Sequence, residues 1–340
     1  MADARPRVWV SQPLFDDVIE PLGQHVALAM THAVTRYTPG QLATQLAQVD
    51  GALITLNERI GPAEIANAPQ LRAIANVGVG YNNLDIDALS AAGILASNTP
   101  DVLTETTADL GFALLMATAR RITESERWLR EGQWGQWSFQ TMLGADIHGS
   151  TLGILGMGRI GQGIARRGAL GFGMRVLYHN RSRLPDATEA EVGAQHVDLD
   201  TLLAQADHLV LVLPYSPSSH HIINASALAK MKPTATLVNI ARGGIVDELA
   251  LADALAHGRL AAAGLDVFEG EPAVRPELLA LRNIVLTPHI GSASQATRRA
   301  MVQLAVDNLL AALGVGPNAG NPPSAINADA VAAAKAGAKR

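Results

Sequence analysis

The sequence has 340 residues, of which 48% are hydrophobic and 17% charged, and its formal net charge is −5. A chain of this length exceeds what one hydrophobic core usually supports, so two domains are expected. The negative net charge gives no attraction to nucleic acid or an anionic membrane, and the absence of cysteine excludes disulfides and thiolate sites. No apolar run approaches the length of a membrane span. These features together predict a cytoplasmic protein.

In the first part of the chain, short apolar runs alternate with helical patterns. The predicted strands are Arg7–Val10, His25–Met30, Gly51–Leu56, Leu71–Val77 and Gly93–Ser97. The predicted helices between them are Pro39–Val49, Pro62–Ala68 and Leu84–Ala92. This alternation is typical of βαβ units and a parallel sheet. A long helix is expected from Thr104 to Arg130, followed by a loop, Gly132–Gly149, which carries Trp134 and Trp137.

A second series of strands and helices begins after this loop. Its predicted strands are Thr151–Leu155, Arg175–His179, His208–Leu213, Ala235–Ile240, Ala261–Val267 and Asn283–Thr287, and a last helix is Ser292–Leu313. We predict two doubly wound α/β domains with parallel sheets. A Rossmann domain over residues 104–288 is inserted in a flavodoxin-like domain formed by residues 1–103 and 289–316, and residues 317–340 are expected to be a tail without an assigned role.

A glycine motif follows the first strand of the second series. Gly156, Gly158 and Gly161 have GxGxxG spacing and lead into a helix that begins near Ile160. In this context the first glycine permits a tight turn, the second permits close approach of a pyrophosphate, and the third permits packing of the helix on the strand. The motif therefore predicts a dinucleotide site, with a glycine turn of purely structural role as the alternative.

The end of the next strand indicates which dinucleotide binds. NAD sites usually place Asp or Glu there, but this sequence has Asn180 followed by Arg181, Ser182 and Arg183. Two guanidiniums and a hydroxyl can hold a 2′-phosphate through charge-assisted hydrogen bonds. The turn favours NADPH, with NADH as the weaker alternative, and a solvated charged turn is the other interpretation.

Charged groups follow three late strands, where the carboxyl ends of parallel strands carry ligand sites. They are Arg242, Asp266 with Glu271, and His289. A histidine can protonate a carbonyl oxygen while hydride adds to the carbon, a carboxylate beside it stabilises its charged form, and an arginine can hold a carboxylate and polarise a ketone. Taken singly, each of Arg242, Glu271 and His289 is usually structural, but their joint appearance at three strand ends favours a catalytic role. Asp266 could equally cap a helix or touch a ligand.

At these residues, and at Asn76–Asp85 and Asn98–Thr106, the chain resembles the D-isomer-specific 2-hydroxyacid dehydrogenase family over about residues 5–313. Within the family it is most similar to glyoxylate/hydroxypyruvate reductases that also accept 2-ketogluconate. The resemblance implies that Arg242, Glu271 and His289 form the catalytic set. The implied substrate-binding residues are Val79 and Gly80, through backbone N–H groups, with Arg242, His289 and Trp137. The expected cofactor-binding residues are Gly156, Gly158, Arg159, Ile160, Gly161, Asn180, Arg181, Ser182, Arg183, Pro214, Ile240, Asp266 and Gly291.

The resemblance implies an NADPH-preferring reduction of glyoxylate to glycolate and of hydroxypyruvate to D-glycerate, without a metal. A 2-ketogluconate reductase, or another D-2-hydroxyacid dehydrogenase, is the alternative for the substrate. A dinucleotide-sensing corepressor is the alternative of a different class. The resemblance also implies a homodimer whose tryptophan loop reaches the neighbouring active site through Trp134 or Trp137, unless these side chains only pack in the interface.

Overall fold

The computed structural model of this chain describes residues 5–337. Within them the strands are β1 (Arg7–Val10), β2 (Ala27–Met30), β3 (Gly51–Ile54), β4 (Ala73–Asn76), β5 (Leu95–Ser97), β6 (Thr151–Leu155), β7 (Arg175–His179), β8 (Gln195–His196), β9 (His208–Leu211), β10 (Thr236–Asn239), β11 (Ala262–Leu265) and β12 (Ile284–Leu286). Each strand predicted from the sequence is present, and β8 was missed because two residues give no alternating pattern.

Helices occupy most of the connections. They are α1 (Asp16–Ile19), α2 (Pro39–Leu46), α3 (Pro62–Ile65), α4 (Ile86–Ala91), α5 (Thr104–Ala119), α6 (Ile122–Arg130), α7 (Arg159–Arg166), α8 (Asp186–Ala190), α9 (Leu199–Gln205), α10 (Ala225–Leu228), α11 (Glu248–Ala256), α12 (Pro276–Leu279), α13 (Gln295–Leu313) and α14 (Ala328–Gly337). Short 3₁₀ segments lie at Glu20–Gln24 and Pro217–Ser219, and a π-turn at Arg167–Gly171 follows α7. No helix within residues 5–337 is long and apolar enough to cross a membrane.

The first compact unit comprises the chain up to Leu103 and again from Ser294. Its five strands pair in parallel in the order β2-β1-β3-β4-β5, which is the flavodoxin-like order. Buried side chains alternate along β1, because Val8 packs in an apolar cluster that includes α13 while Trp9 packs in a second cluster that includes α2 and α4. The predicted sheet with helices on both faces is confirmed.

The second unit is Thr104–Ala293. Its seven strands pair in parallel in the order β12-β11-β10-β9-β6-β7-β8, a doubly wound Rossmann sheet. Val176 lies in one apolar cluster with residues of α5 and α7, and Leu177 lies in another with residues of α9 and α11. We predicted the second boundary between residues 288 and 289, whereas this unit extends to Ala293. His289 therefore belongs to the same unit as Arg242 and Glu271.

The long helix predicted from Thr104 to Arg130 is two helices. Arg121 has left-handed backbone angles, with φ 52° and ψ 37°, and it separates α5 from α6. Its Nε atom donates to Glu124 at 2.8 Å, and Nη2 donates to the same carboxylate at 2.9 Å. No glycine or proline marks the break, so the helical pattern appeared continuous in the sequence.

The region predicted to be a tail is ordered against the first unit. Ala325 forms an antiparallel bridge with Ser97, and the Ile326 N–H donates to the carbonyl of Ala96 at 2.8 Å. The Asn327 side chain accepts from the Ala96 N–H at 2.8 Å and donates to the Ile94 carbonyl at 3.1 Å. This segment pairs with the edge strand β5 and then forms α14, so the prediction of a tail was wrong for residues 325–337.

Candidate active site

His289 and Glu271 form a hydrogen-bonded pair in the second unit. The distance from Nδ1 of His289 to Oε2 of Glu271 is 2.8 Å, and Oε1 of Glu271 accepts from the Phe268 N–H at 2.9 Å. Burial alone would raise the pKa of Glu271, but the hydrogen bond and charge of His289 lower this pKa below its ordinary value. An ionised carboxylate only accepts, so Nδ1 carries a proton and Nε2 is the nitrogen left for chemistry.

Asp266 holds the turn that carries His289. Its Oδ1 accepts from the Thr287 hydroxyl at 2.7 Å and the Ile290 N–H at 2.8 Å, and its Oδ2 accepts from the Gly291 N–H at 2.9 Å. Burial is the main cause that raises the pKa of Asp266 above its ordinary value, and these donors oppose it. His289 itself has a φ of 52°, a conformation that side-chain-bearing residues rarely adopt. Asp266 therefore positions the histidine, and its contact with a cofactor remains a prediction.

Arg242 lies at the end of β10, close enough to Glu271 to interact with it electrostatically. Burial lowers the pKa of Arg242 below its ordinary value, and the Glu271 carboxylate opposes this effect. The Arg242 Nη1 atom donates to the Ala241 carbonyl at 2.7 Å. A Cβ atom on Gly243 would collide with the Phe268 carbonyl, so a glycine lets this turn pack directly on the segment that carries Glu271. The three predicted catalytic residues are thus brought together in one unit.

The glycine motif separates into structural glycines and one exposed glycine. Gly156 has a φ of 102°, and a Cβ there would lie 2.7 Å from the Leu213 nitrogen. A Cβ on Gly161 would lie 2.5 Å from the Gly156 oxygen. A Cβ on Gly158, the N-cap of α7, would meet no described atom within 4 Å. The close approach of backbone atoms therefore requires glycine at positions 156 and 161. Gly158 instead leaves open space at the start of a helix, as a bound pyrophosphate requires.

In the charged turn after β7, Arg183 pairs with acidic side chains of the chain itself, and its predicted contact with a cofactor remains a prediction. The Arg183 guanidinium contacts Glu189 at 2.6 Å and Asp186 at 3.1 Å. Glu189 also accepts from the Tyr178 hydroxyl at 2.6 Å. Arg183 is therefore engaged in an ion-pair network, and the sequence analysis missed Glu189 because six residues separate it from its partner.

Arg181 and Ser182 are exposed and make no hydrogen bond or ion pair within residues 5–337. Asn180 instead braces the glycine motif, because its Oδ1 accepts from the Met157 N–H at 2.7 Å. Of the other predicted cofactor residues, Ile240 is buried, Pro214 is exposed, and Arg159 and Ile160 open α7. The fit to a dinucleotide therefore depends on Gly158, the N-terminus of α7 and the two exposed residues of the turn.

In the first unit, the loop Gly78–Gly80 follows β4 and has all three carbonyls hydrogen-bonded. The Gly78 carbonyl accepts from the Thr99 N–H at 3.0 Å, the Val79 carbonyl from Asn98 Nδ2 at 2.7 Å, and the Gly80 carbonyl from Asn76 Nδ2 at 3.1 Å. The N–H groups of Val79 and Gly80 have no partner among residues 5–337. The sequence analysis missed Asn76 and Asn98 as functional candidates, although both lie in the motifs that it singled out.

Two further groups of side chains are exposed or clustered. Trp134 and Trp137 are 54% and 64% exposed, and the Trp137 ring contacts Phe139, which is 85% exposed, with ring centroids 4.6 Å apart. His220, His221 and Glu269 place their potential ligand atoms within 4.8 Å of one another, but Glu269 already accepts from His221 at 3.1 Å and lies 4.0 Å from the Arg275 guanidinium. A reaction without metal remains a prediction.

Comparisons with known proteins cover nearly the whole chain. The family described as D-isomer specific 2-hydroxyacid dehydrogenase, NAD binding domain, matches residues 112–291. A glyoxylate reductase of Thermococcus onnurineus is 43% identical over 337 residues, covering 98% of this chain and 99% of the relative. A glyoxylate/hydroxypyruvate reductase B of Klebsiella pneumoniae is 44% identical over 310 residues, covering 91% and 95%.

A solved structure agrees with these relatives. The NADPH-dependent glyoxylate/hydroxypyruvate reductase of Sinorhizobium meliloti, crystallised with NADP and malonate, superposes with a TM-score of 0.82 at 34% identity. The match covers 95% of this chain and 97% of that one. The similarity therefore extends across both units and includes the segments that carry His289, Arg242 and the glycine motif.

Proposed function

This chain belongs to the D-isomer specific 2-hydroxyacid dehydrogenase family, and we propose that it reduces glyoxylate to glycolate and hydroxypyruvate to D-glycerate with NADPH. It is an oxidoreductase with an NAD(P)-binding Rossmann domain, as the sequence predicted. The observation that carries the proposal is the pair formed by His289 and Glu271, with Arg242 beside it, in a chain whose relatives reduce these keto acids.

His289 is the proposed proton donor. Reduction adds a hydride to the keto carbon and a proton to the keto oxygen, and the bound nicotinamide supplies the hydride. Because Nδ1 faces Glu271, the proton given to the oxygen comes from Nε2, and the imidazole left behind is re-protonated from solvent. The carboxylate of Glu271 stabilises the imidazolium that the reduction requires.

Arg242 is the proposed electrophilic partner of the substrate. Its guanidinium stays charged even though burial lowers its pKa, and a partly desolvated cation interacts strongly with negative charge that develops on a keto oxygen. The same group can hold one oxygen of the substrate carboxylate. In the first unit, we assign binding of a substrate carboxylate to the N–H groups of Val79 and Gly80, which have no partner among residues 5–337.

Cofactor preference is assigned to the turn after β7. We place the pyrophosphate at Gly158, Arg159 and Ile160, where α7 begins, and the 2′-phosphate at Arg181 and Ser182. Arg183 supports this turn through Glu189. The similar structure from S. meliloti is that of an NADPH-dependent reductase, which supports the assignment of NADPH over NADH.

We also propose a homodimer in the cytoplasm. The rings of Trp137 and Phe139 are exposed and in contact with each other, Trp134 is exposed in the same loop, and exposed aromatic side chains of this kind are enriched at subunit interfaces. The proposal includes a contact between Trp137 and the substrate bound to the neighbouring subunit.

A turnover assay tests the function directly. Oxidation of NADPH at 340 nm is followed with glyoxylate, hydroxypyruvate or 2-ketogluconate, and His289→Ala serves as the inactive control. The proposal expects the highest kcat/KM with one of the two smaller acids. A preference for 2-ketogluconate would identify the alternative substrate, and the absence of turnover with every acid would favour a dinucleotide-sensing protein.

A further inference from the structure

We infer that Asn98, held in place by the C-terminal segment, is a positioning residue that orients the loop Gly78–Gly80 to bind the substrate carboxylate. The inference rests on the proposed function, because it concerns the loop to which carboxylate binding is assigned. The sequence suggested no role for the residues beyond α13, and this inference assigns them a part in substrate binding. All of the contacts involved lie within the first unit.

The orientation of the loop N–H groups follows from peptide geometry. In a trans peptide the C=O of one residue and the N–H of the next point in opposite directions. The Gly78 carbonyl is held by the Thr99 N–H and the Val79 carbonyl by Asn98 Nδ2, so the N–H groups of Val79 and Gly80 must point away from residues 98–99. Two neighbouring N–H groups without a partner among residues 5–337 can donate together to one anion.

Asn98 is the side chain on which this orientation depends. Its Nδ2 donates to Val79 at 2.7 Å, the shortest of the three bonds that hold the loop carbonyls. The peptide between Val79 and Gly80 contains both this carbonyl and the Gly80 N–H. Without the hydrogen bond from Asn98, this peptide could rotate, and the Gly80 N–H would no longer point toward the proposed anion site.

The C-terminal segment fixes the backbone of Asn98. The Ser324 hydroxyl donates to the Asn98 carbonyl at 2.7 Å, and the Ser324 carbonyl accepts from the Asn98 N–H at 3.4 Å. Asn308 on α13 donates from Nδ2 to the Ser324 hydroxyl at 2.7 Å and accepts from the Ser324 N–H at 2.8 Å. Asn308 is fully buried, so the end of this chain of hydrogen bonds at α13 is shielded from water.

The test uses the full-length protein with Asn98→Ala, Ser324→Ala and, as a matched control, Ser90→Ala. Ser90 accepts a hydrogen bond from Asn327 of the same C-terminal segment at 3.0 Å, but within residues 5–337 it does not hydrogen-bond Asn98. The measurements are KM and kcat for glyoxylate, KM for NADPH, the melting temperature, and the Kd of oxamate, a non-reducible analogue of a 2-keto acid, in the presence of NADP⁺.

Asn98→Ala is expected to raise KM for glyoxylate and Kd for oxamate about tenfold, the usual effect of losing one hydrogen bond to a charged group. The change in kcat should be smaller, KM for NADPH should stay unchanged, and Ser324→Ala should shift the same two constants in the same direction. Ser90→Ala should leave both constants at the wild-type values. The positioning role of Asn98 is supported if all three variants melt at a lower temperature but only Asn98→Ala and Ser324→Ala bind oxamate more weakly.

Unchanged oxamate binding in folded Asn98→Ala and Ser324→Ala would overturn the inference, as would equal losses of oxamate and NADPH binding. If Asn98→Ala does not fold, Ser324→Ala alone decides between these results. If the wild type binds oxamate but reduces none of the keto acids, the proposed function fails while the positioning role is still decided by the oxamate constants. A wild type that binds no oxamate overturns the inference directly.

Discussion

The Oε2 atom of Glu271 lies 2.8 Å from Nδ1 of His289, and a backbone N–H holds the other oxygen of the same carboxylate. This arrangement fixes both the rotation of the imidazole and the nitrogen that faces Glu271. The effect is reciprocal, because the charge of His289 lowers the pKa of Glu271 and a carboxylate that stays ionised stabilises the imidazolium. Reduction needs a proton donor in a fixed orientation, so loss of either member of the pair should slow the reaction.

Replacing Glu271 by Gln should lower kcat/KM for glyoxylate reduction about tenfold or more, the usual effect of losing one hydrogen bond to a charged group. Glutamine keeps the size and a hydrogen-bonding end but removes the negative charge that faces Nδ1 of His289. The measurement is kcat/KM for glyoxylate in the wild type and the variant, with the Kd of NADPH as the control. A kcat/KM that stays at the wild-type value would show that the charge of Glu271 does not contribute to the reaction.

Replacing His289 by Ala should lower kcat on the order of 10²–10⁴-fold, the usual contribution of one general acid. The Kd of NADPH should change little, because the proposed role is proton donation to the substrate. Steady-state kinetics and fluorescence titration of NADPH measure the two quantities. A kcat within a few-fold of wild type would assign the proton donor to another group.

The sequence was sufficient for the sheets, the glycine motif and the three catalytic candidates, because these features depend on local patterns and on the carboxyl ends of parallel strands. It was insufficient where a contact joins distant residues. The role of Ser324 depends on Asn98, 226 positions away, and residues rich in Ala, Gly and Asn give no signal that they will pair with β5. The left-handed Arg121 has no sequence signature, since no glycine or proline accompanies it.

The charged turn after β7 shows the same limit at shorter range. Two arginines in this turn look equivalent in the sequence, yet Arg183 pairs with Glu189 whereas Arg181 has no partner within the described chain. The difference arises because Glu189 is largely buried at the end of α8, where only one of the two guanidiniums reaches it. Side-chain pairing of this kind depends on the fold of the loop, which charge patterns do not give.

The network around Glu189 should make stability depend on pH in the acid range. The hydrogen bond from Arg183 and the one from Tyr178 lower the pKa of Glu189 from 4.5 to about 2. A depressed carboxyl pKa stabilises the fold fully above about 4.5 and loses this contribution as pH falls toward about 2. Glu189→Gln should therefore lower the melting temperature at pH 7, and the difference from wild type should shrink at acid pH.

Asp186→Asn is the matched control for this experiment, because its carboxylate contacts the same guanidinium at 3.1 Å but is 91% exposed. Exposed ion pairs contribute little, so this variant should melt close to wild type at every pH. A constant difference between Glu189→Gln and wild type from pH 7 to acid pH would contradict the assignment of the effect to the ionised carboxylate.

The exposed aromatic loop predicts a subunit interface. Light scattering of the wild type at micromolar concentration should give the mass of two chains, and replacing Trp137 and Phe139 together by Ala should weaken the dimer, because large aromatic side chains dominate interface energies. A single Trp137→Ala change should in addition raise KM for hydroxypyruvate if the ring reaches the neighbouring substrate. A wild-type monomer would refute the dimer, and an unchanged KM would restrict Trp137 to packing.

Arg181 and Arg183 should affect cofactor choice differently. Arg181→Ala removes a guanidinium that has no other partner among residues 5–337, so kcat/KM with NADPH should fall about tenfold or more while kcat/KM with NADH stays near wild type. Arg183→Ala instead removes the brace on the turn, so it should lower the melting temperature and reduce activity with both cofactors. Both variants are assayed with glyoxylate at saturation, and each cofactor is varied separately. If Arg181→Ala lowers kcat/KM equally with NADPH and NADH, Arg181 does not bind the 2′-phosphate. If Arg183→Ala lowers kcat/KM with NADPH alone, the ion pair between Arg183 and Glu189 opens when the phosphate binds.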